Sequence, residues 1–352
     1  MNDLRVFFLA EGGPRTQSTA HRVVYMAEYL RSRGYDVTVH FGKEGNILGR
    51  RYNRAKVASI LRTLTAEPKP DVLILHRISD PLTDLLVRVS KSAGVRIIYD
   101  LDDAVYLRHN ALTLRIGFIL RASDAVTASS HAIAEYCSGF NPNVFVVPSP
   151  VDTRIFHRSA RKKQDRMPVV GWLGDGRVHG PNLRILAKPL AELSTTDQFR
   201  LKLVSALGSQ EIRELFSPLQ GRVEVDYGQD EWVDLSTIPS LIGDFDISVM
   251  PLLDNAFNRG KAGQKLVESM AMGIPVVASR VGENKHIVTH GEDGFLATSV
   301  DEWVWSIRTL LLNPKLGEEF GHRGSSKINR KYSVSECGRR LNEVIEGSMM
   351  RS

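Results

Sequence analysis

Short apolar runs alternate along the chain with longer segments whose apolar residues recur at helical spacing. Leu4 to Ala10 is the first run, and it ends in Gly12-Gly13. Val23, Val24, Ala27 and Leu30 then predict a helix over Ala20 to Arg33, stopped by Gly34. Tyr35 to His40 reads as a strand, with β-branched Val37, Thr38 and Val39. Further strands are predicted at Asp71 to His76, Val95 to Asp100, Asp124 to Ala128 and Asn143 to Val147. The connections are helix-length, which implies parallel βαβ units. The strands are apolar almost throughout, as in a sheet covered on both faces.

Pro148-Ser149-Pro150 breaks this rhythm, and Arg158, Arg161, Lys162, Lys163, Asp165 and Arg166 follow. Paired prolines and a charge run mark a linker. The alternation restarts with Pro168 to Leu173, which ends in Gly174-Asp175-Gly176. Phe199 to Val204, Arg222 to Asp226, Asp246 to Met250 and Ile274 to Ala278 continue it, and beyond Glu302 the pattern is helical. The prediction is an α/β chain of two doubly wound, Rossmann-like domains, 1–152 and 168–332, joined by a linker at 153–167. Ligands of such sheets bind at the carboxyl ends of the strands, so a cleft between two facing sheets is the expected site.

Composition narrows the function. The 352 residues are 42% hydrophobic and 24% charged, which excludes extensive disorder or coiled coil. No run approaches the roughly 20 apolar residues of a membrane helix. Acidic Asp3 stands where a signal peptide would be basic, so a cytoplasmic location is expected. Cys137 and Cys337 cannot build a disulfide scaffold or a CxxC site and read as ordinary thiols. The net charge of +6 is too mild to indicate nucleic acid. It suits phosphate-bearing substrates or an anionic membrane surface. GxGxxG is absent in clean form and GxxxxGK[ST] altogether, which disfavours nicotinamide dehydrogenases and P-loop NTPases.

The most informative stretch is Asp254 to Ser279. Gly260-Lys261-Ala262-Gly263 precedes a predicted helix over Gln264 to Met272. Glycines before a helix leave backbone N–H groups and the positive end of the dipole for an anion. Lys265 adds a point charge for phosphate, and Glu268, one turn on, can accept hydrogen bonds from a ribose diol. The alternative is a solvated ion pair on a surface helix. Asp100, Asp102 and Asp103 end a first-domain strand, and three carboxylates so close can bind a divalent metal, take a proton from an acceptor hydroxyl, or cap a helix. His76-Arg77 ends the preceding strand and faces the same edge. Arg50 to Arg62 is basic and amphipathic, compatible with an anionic leaflet or with an ordinary domain helix.

Several segments resemble one family in the order it presents them. Lys265-Leu266-Val267-Glu268 through Val277 resembles the donor-site signature of group 1 retaining glycosyltransferases of the GT-B fold. Gly12-Gly13 resembles that family's glycine loop, and Arg33 to Val39 its "RGHEVTV" step. Ser123 to Ser130, Val147 to Phe156, Asp246 to Pro251 and His290 to Leu296 resemble "ADxVxxxS", "VIPNGVDxxxF", "ADIxxxP" and "xGxxGFL".

The resemblance implies a donor domain at 168–332 and an acceptor domain at 1–152, with a C-terminal helix at 333–347 packing back on the latter. It implies a nucleotide-sugar co-substrate, UDP- or GDP-linked, metal-independent chemistry, and a glycan or lipid-linked acceptor. Peripheral contact with an anionic membrane and cell-surface polysaccharide synthesis follow from family habit. Gly12, Gly13, Lys261, Gly263, Lys265 and Glu268 would bind the donor. Lys265, Arg177, Asp102 and Asp103 would carry the chemistry, with Lys265 on the pyrophosphate and Glu268 on the ribose. Arg177 is chosen as the only Arg or Lys between Arg166 and Arg184, with His179 a weaker choice. Base selectivity would rest on 205–209 and 227–232. The family signature opens with a second Glu where this chain has Gly260, and many relatives carry His-Asp where it has Asp102-Asp103. A sugar-nucleotide epimerase or hydrolase, or a non-catalytic subunit, are the competing functions.

Overall fold

A computed structural model describes residues 4–42, 54–107, 110–157, 166–206, 208–228 and 235–350. The chain forms two compact units. The first comprises Met1–Pro150, Gly260–Ala262 and Tyr332–Ser352, and the second Val151–Arg259 and Gly263–Lys331.

In the first unit the strands are β1 (Arg5–Ala10), β2 (Asp36–Phe41), β3 (Val72–His76), β4 (Arg96–Leu101), β5 (Ala125–Ala128) and β6 (Val144–Val146). They form a parallel sheet in the order β2-β1-β3-β4-β5-β6. All five residues of β3 and all four of β5 are buried, which explains the absence of polar alternation. The chain reverses its winding direction between β1 and β3, so the loops after those strands flank the switch point.

The helical segment after β1 begins at Gln17, earlier than the predicted start at Ala20, and contains a π-helical turn over Ala20–Val24. That turn carries Arg22 inward, a position that simple helical periodicity does not anticipate. The helix Val334–Met349 is capped by Ser333 and buries Cys337, Leu341, Val344 and Ile345. It packs on the helix Tyr25–Ser32 within the first unit.

The second unit contains β7 (Val169–Leu173), β8 (Arg200–Val204), β9 (Glu224–Asp226), β10 (Ile247–Met250), β11 (Val276–Ser279) and β12 (Gly294–Ala297). Their parallel order is β12-β11-β10-β7-β8-β9, with the switch point between β7 and β10. Its core stacks Trp172, Leu186, Phe199 and Phe216 with Trp303 and Phe320. The doubly wound architecture predicted from the alternation is therefore present twice. β12 was not anticipated as a strand: Gly-Phe-Leu-Ala is short, lacks β-branched residues and is recruited by pairing with β11.

Of the predicted basic amphipathic segment, residues 50–53 and the side chains of 54–56 lie outside the described residues. The helix Arg54–Thr65 buries Ile60 and Leu64 and exposes Ser59 and Arg62, the pattern of a domain helix with one covered side. The linker charges at 158–165 and the base-contact positions 207 and 229–232 also lie outside the described residues. Among the described residues, no helix is long and apolar enough to cross a membrane.

Candidate functional site

The second unit places its charged groups around the turn that leaves β7. Gly174 gives way to Asp175, which caps the helix Gly176–Leu193 by accepting from the Arg177 backbone N–H at 3.0 Å. The ammonium of Lys265, from the helix Gln264–Ala271, lies 5.3 Å from the centre of the Trp172 ring. Lys265 Nζ also occupies the space beside Gly174, where any β-carbon would collide with it and with Trp172. Glycine is thus required at 174 for the lysine to reach the strand end.

The helix Gln264–Ala271 starts at Gly263, whose φ of +68° places it in the left-handed region. Gly263 offers no side-chain cap to this start, and Leu266 N bonds back to the Gly263 carbonyl at 2.9 Å. Glu268 is 1% exposed one turn further along. Ser269 Oγ meets Ser248 Oγ at 2.8 Å and ties the helix to β10.

A second set of contacts holds the loop before Gly263. Asn182 Oδ1 accepts from Leu253 N and from Asn258 Nδ2, both at 2.9 Å. Asn258 Nδ2 donates also to Leu253 O at 2.9 Å. Asn182 Nδ2 lies 3.2 Å from His179 Nδ1, and the His179 ring stands edge-on to Trp172.

The expected donor residues are therefore partly assembled. Gly263, Lys265 and Glu268 share one helix in the second unit. Lys261 belongs to the first unit, where Ser130 Oγ donates to the Gly260 carbonyl at 3.0 Å. Arg177 is exposed and folded onto its own cap, with Nε and Nη2 at 3.1 and 3.0 Å from the two Asp175 oxygens. Burial would raise the Asp175 carboxyl, but its bonds from Arg177 and the nearby Lys265 charge hold it below the usual range.

The first unit carries a different arrangement at the carboxyl edge of its sheet. Asp100, at the end of β4, is buried and ion-paired with Arg22 through Nε at 3.2 Å and through Nη2. Thr127 Oγ1 donates to its Oδ1 at 2.6 Å, and His76 Nδ1 lies 2.9 Å from its Oδ2. Arg22 Nη1 also donates to the Val147 carbonyl.

Asp102 accepts from Ser18 Oγ, and from Arg77 Nη1 at 3.2 Å. Arg77 further pairs with Glu11 at 2.9 Å and Asp103 at 3.6 Å. Its φ of +59° is left-handed, a strained conformation for a non-glycine residue that sets its guanidinium among three carboxylates. Burial alone would raise the carboxyls of Asp100 and Asp102. Arg22 for the first, and Arg77 for the second, hold both below the ordinary carboxylate range. The three aspartates thus separate in role: Asp100 faces the interior ion pair, while Asp102 and Asp103 share Arg77. Gly12 and Gly13 follow β1 at the same edge, and Thr16 Oγ1 donates to Gly13 O at 2.8 Å.

Sequence reasoning missed Trp172, Asn182, Asn258, Ser18 and Arg22. Asn258-Arg259-Gly260-Lys261 carried a visible signal as one segment, but its partner Asn182 lies 76 residues away. Arg22 sits in an apolar helical run and carries no local mark of burial.

Two doubly wound parallel sheets, each with charged groups at its carboxyl edge, define the GT-B glycosyltransferase fold. A glycosyltransferase from Rickettsia africae ESF-5 superposes with a TM-score of 0.76 over the whole of both chains at 15% identity. The Anabaena protein HepE, solved in complex with UDP and glucose, gives 0.70 at 19% identity over 98% of this chain and 100% of its own. Residues 167–313, within the second unit, match the family model "Glycosyl transferases group 1". An 83-residue stretch is 26% identical to trehalose synthase of Pyrococcus horikoshii, spanning 24% of this chain and only 20% of that enzyme.

Proposed function

We propose that the protein transfers a sugar from a nucleotide-sugar donor to a hydroxyl acceptor with retention of anomeric configuration. The observation that carries this reading is the Lys265 ammonium, seated on Trp172 beside Gly174 on the helix that starts at Gly263. Breaking the anomeric C–O bond leaves positive charge on the sugar and negative charge on the diphosphate. Lys265 and the helix N-terminus stabilise that diphosphate as it departs, the term that dominates such catalysis. Glu268 accepts from the ribose hydroxyls. Arg177 reaches the phosphates by leaving Asp175, a move its exposure permits. Retention, which rests on the family resemblance, places the acceptor on the face the diphosphate leaves. Asp102 and Asp103 orient that acceptor from the first unit.

UDP is the donor nucleotide this reading favours, supported by the UDP bound to HepE. A glycan or lipid-linked acceptor and a role in surface polysaccharide synthesis extend the same reading. Thermal unfolding with UDP, GDP and ADP, each with and without magnesium, tests it. A nucleotide at about 100 times its dissociation constant adds about 2.7 kcal/mol to the native state. The expected result is a selective, metal-independent shift with UDP that Lys265→Ala abolishes. No shift with any nucleotide overturns the transferase reading in favour of a non-catalytic subunit. Turnover of UDP-sugar without acceptor points instead to an epimerase or hydrolase.

A further inference from the structure

The helix Val300–Leu312 in the second unit has one side buried and one side open. Trp303, Val304, Ser306, Ile307 and Leu310 are buried, and the helix packs on the helix Gly176–Leu193 and on β10, β11 and β12. The other side carries Asp301, Trp305, Arg308, Thr309 and Leu312, which helical geometry aligns as one stripe. Among the described residues, Trp305 is 56% exposed and Leu312 67%. A single exposed apolar side chain is ordinary, but a tryptophan and a leucine two turns apart on one stripe form a patch. Trp305 is also held in place. The buried Phe295 ring meets it edge-on with centres 5.0 Å apart, and Phe320 backs Phe295 at 5.1 Å. A ring already fixed loses little freedom when it is covered, which suits it as a binding anchor.

The order of residues along the stripe indicates its occupant. Trp305 lies three residues before Arg308, and Leu312 lies three after Thr309. Glu302 lies six before Arg308, and Lys315, just past the helix end, lies six after Thr309. The stripe is therefore complementary to itself about the point between Arg308 and Thr309. With a rise of about 1.5 Å per residue, Trp305 and Leu312 each stand about 5 Å along the axis from that point. A second copy placed antiparallel, with a two-fold axis there, brings each Trp305 level with the other copy's Leu312. The exposed acidic start, Asp301 and Glu302, then comes level with the other copy's exposed Lys315. Antiparallel helices also set opposite dipole ends side by side, whereas a parallel pair would set acidic start against acidic start. Arg308, next to the axis, is already neutralised by Asp197 at 3.0 Å from Nε.

We propose that this face is the interface of a two-fold dimer of the chain, with Trp305 and Leu312 as its anchors. The proposal is independent of the transfer reaction argued above.

Sedimentation velocity of the full chain between about 1 and about 200 µM should show monomer passing into dimer, because one helix face makes a small and weak interface. Trp305→Ser should raise the dimer dissociation constant at least about tenfold, the scale for losing a tryptophan anchor. Leu312→Asn should act in the same direction, and both exposed substitutions should leave the circular dichroism of the wild type. Lys315→Glu should weaken the dimer about two- to fivefold, and adding Asp301→Lys to the same chain should restore it. Thr309→Cys, beside the axis, should cross-link to its own copy under mild oxidation, while Lys315→Cys, about 10 Å from the axis, should not. Cys137 and Cys337 are buried and give the wild type no such link. A chain that stays monomeric over the whole range overturns the proposal. So does a dimer that Trp305→Ser and Leu312→Asn both leave intact, since its interface lies elsewhere. A dimer broken by both but not linked by Thr309→Cys overturns the antiparallel pairing.

Discussion

The two units share an architecture and differ in the sign of charge at the carboxyl edge of their sheets. The first places four carboxylates around Arg22 and Arg77, two of them buried and all four partnered. The second places Lys265 and Arg177 beside the starts of two helices, where backbone N–H groups add positive potential. On the proposed reading, the edge lined by ion pairs would orient a neutral hydroxyl, and the edge lined by cations and helix starts would receive an anion. The difference lies in residues at strand ends and in the turns that follow them.

The largest expected effect breaks the second edge. Lys265→Ala should lower turnover by about 100- to 1000-fold, the scale for losing one group that stabilises developing negative charge. Circular dichroism should remain that of the wild type, because the substitution removes a half-buried side chain from the first turn and leaves the helix Gln264–Ala271 its backbone bonds. Turnover within a few-fold of wild type would remove Lys265 from the chemistry.

Next in size is a stability effect on the first unit. Arg22→Met leaves Asp100 buried without its cation and should cost about 3–5 kcal/mol. The described tryptophans, Trp172, Trp303 and Trp305, lie in the second unit, and Trp232 falls in the same stretch of chain, so fluorescence reports that unit. The variant's circular dichroism should show an early transition while the fluorescence transition stays in place. Coincident transitions would show that the two units unfold together.

Gly174→Ala sharpens the comparison more gently. The added methyl displaces Lys265 Nζ and the Trp172 ring, so nucleotide affinity should fall about tenfold, equivalent to about 1.4 kcal/mol. Calorimetric titration with UDP checks this, and unchanged affinity would mean that the lysine reaches phosphate by another path.

Acid should also act on the first unit before the second. Asp100 and Asp102 have depressed carboxyls when folded, so their stabilisation is complete above the unfolded value of about 3.9 and is lost as pH falls through the folded values. Glu336, bonded by Arg339 and Arg340 in the C-terminal helix, is lowered to about 2 and titrates within the same window. Circular dichroism should therefore change between about pH 4 and 2 before tryptophan fluorescence does. The smallest effect concerns Cys137 and Cys337, whose thiols burial pushes up to about 12. Neither should react with a disulfide reagent at neutral pH until the first unit opens.

Much of this was legible in the chain. Apolar runs of strand length separated by helical periodicity allow little except parallel sheets covered on both faces, and the break at Pro148-Ser149-Pro150 separates two of them. Gly263, Lys265 and Glu268 lie within six residues, so helical geometry alone brings them together. These are local consequences of backbone sterics and side-chain periodicity, which travel with the sequence.

Contacts between distant segments were not legible. The pairing of Lys265 with Trp172, of Asn258 with Asn182, and of Ser18 with His76 and Asp102 joins elements 58 to 93 residues apart along the chain. The burial of Arg22 depends on a π-helical turn and on a carboxylate 78 residues away. The sequence determined that there would be two parallel sheets, each with a charged carboxyl edge. Only the tertiary structure decided which charges neutralise each other and which stand at a helix start, because electrostatic compensation is set by distance and burial in space.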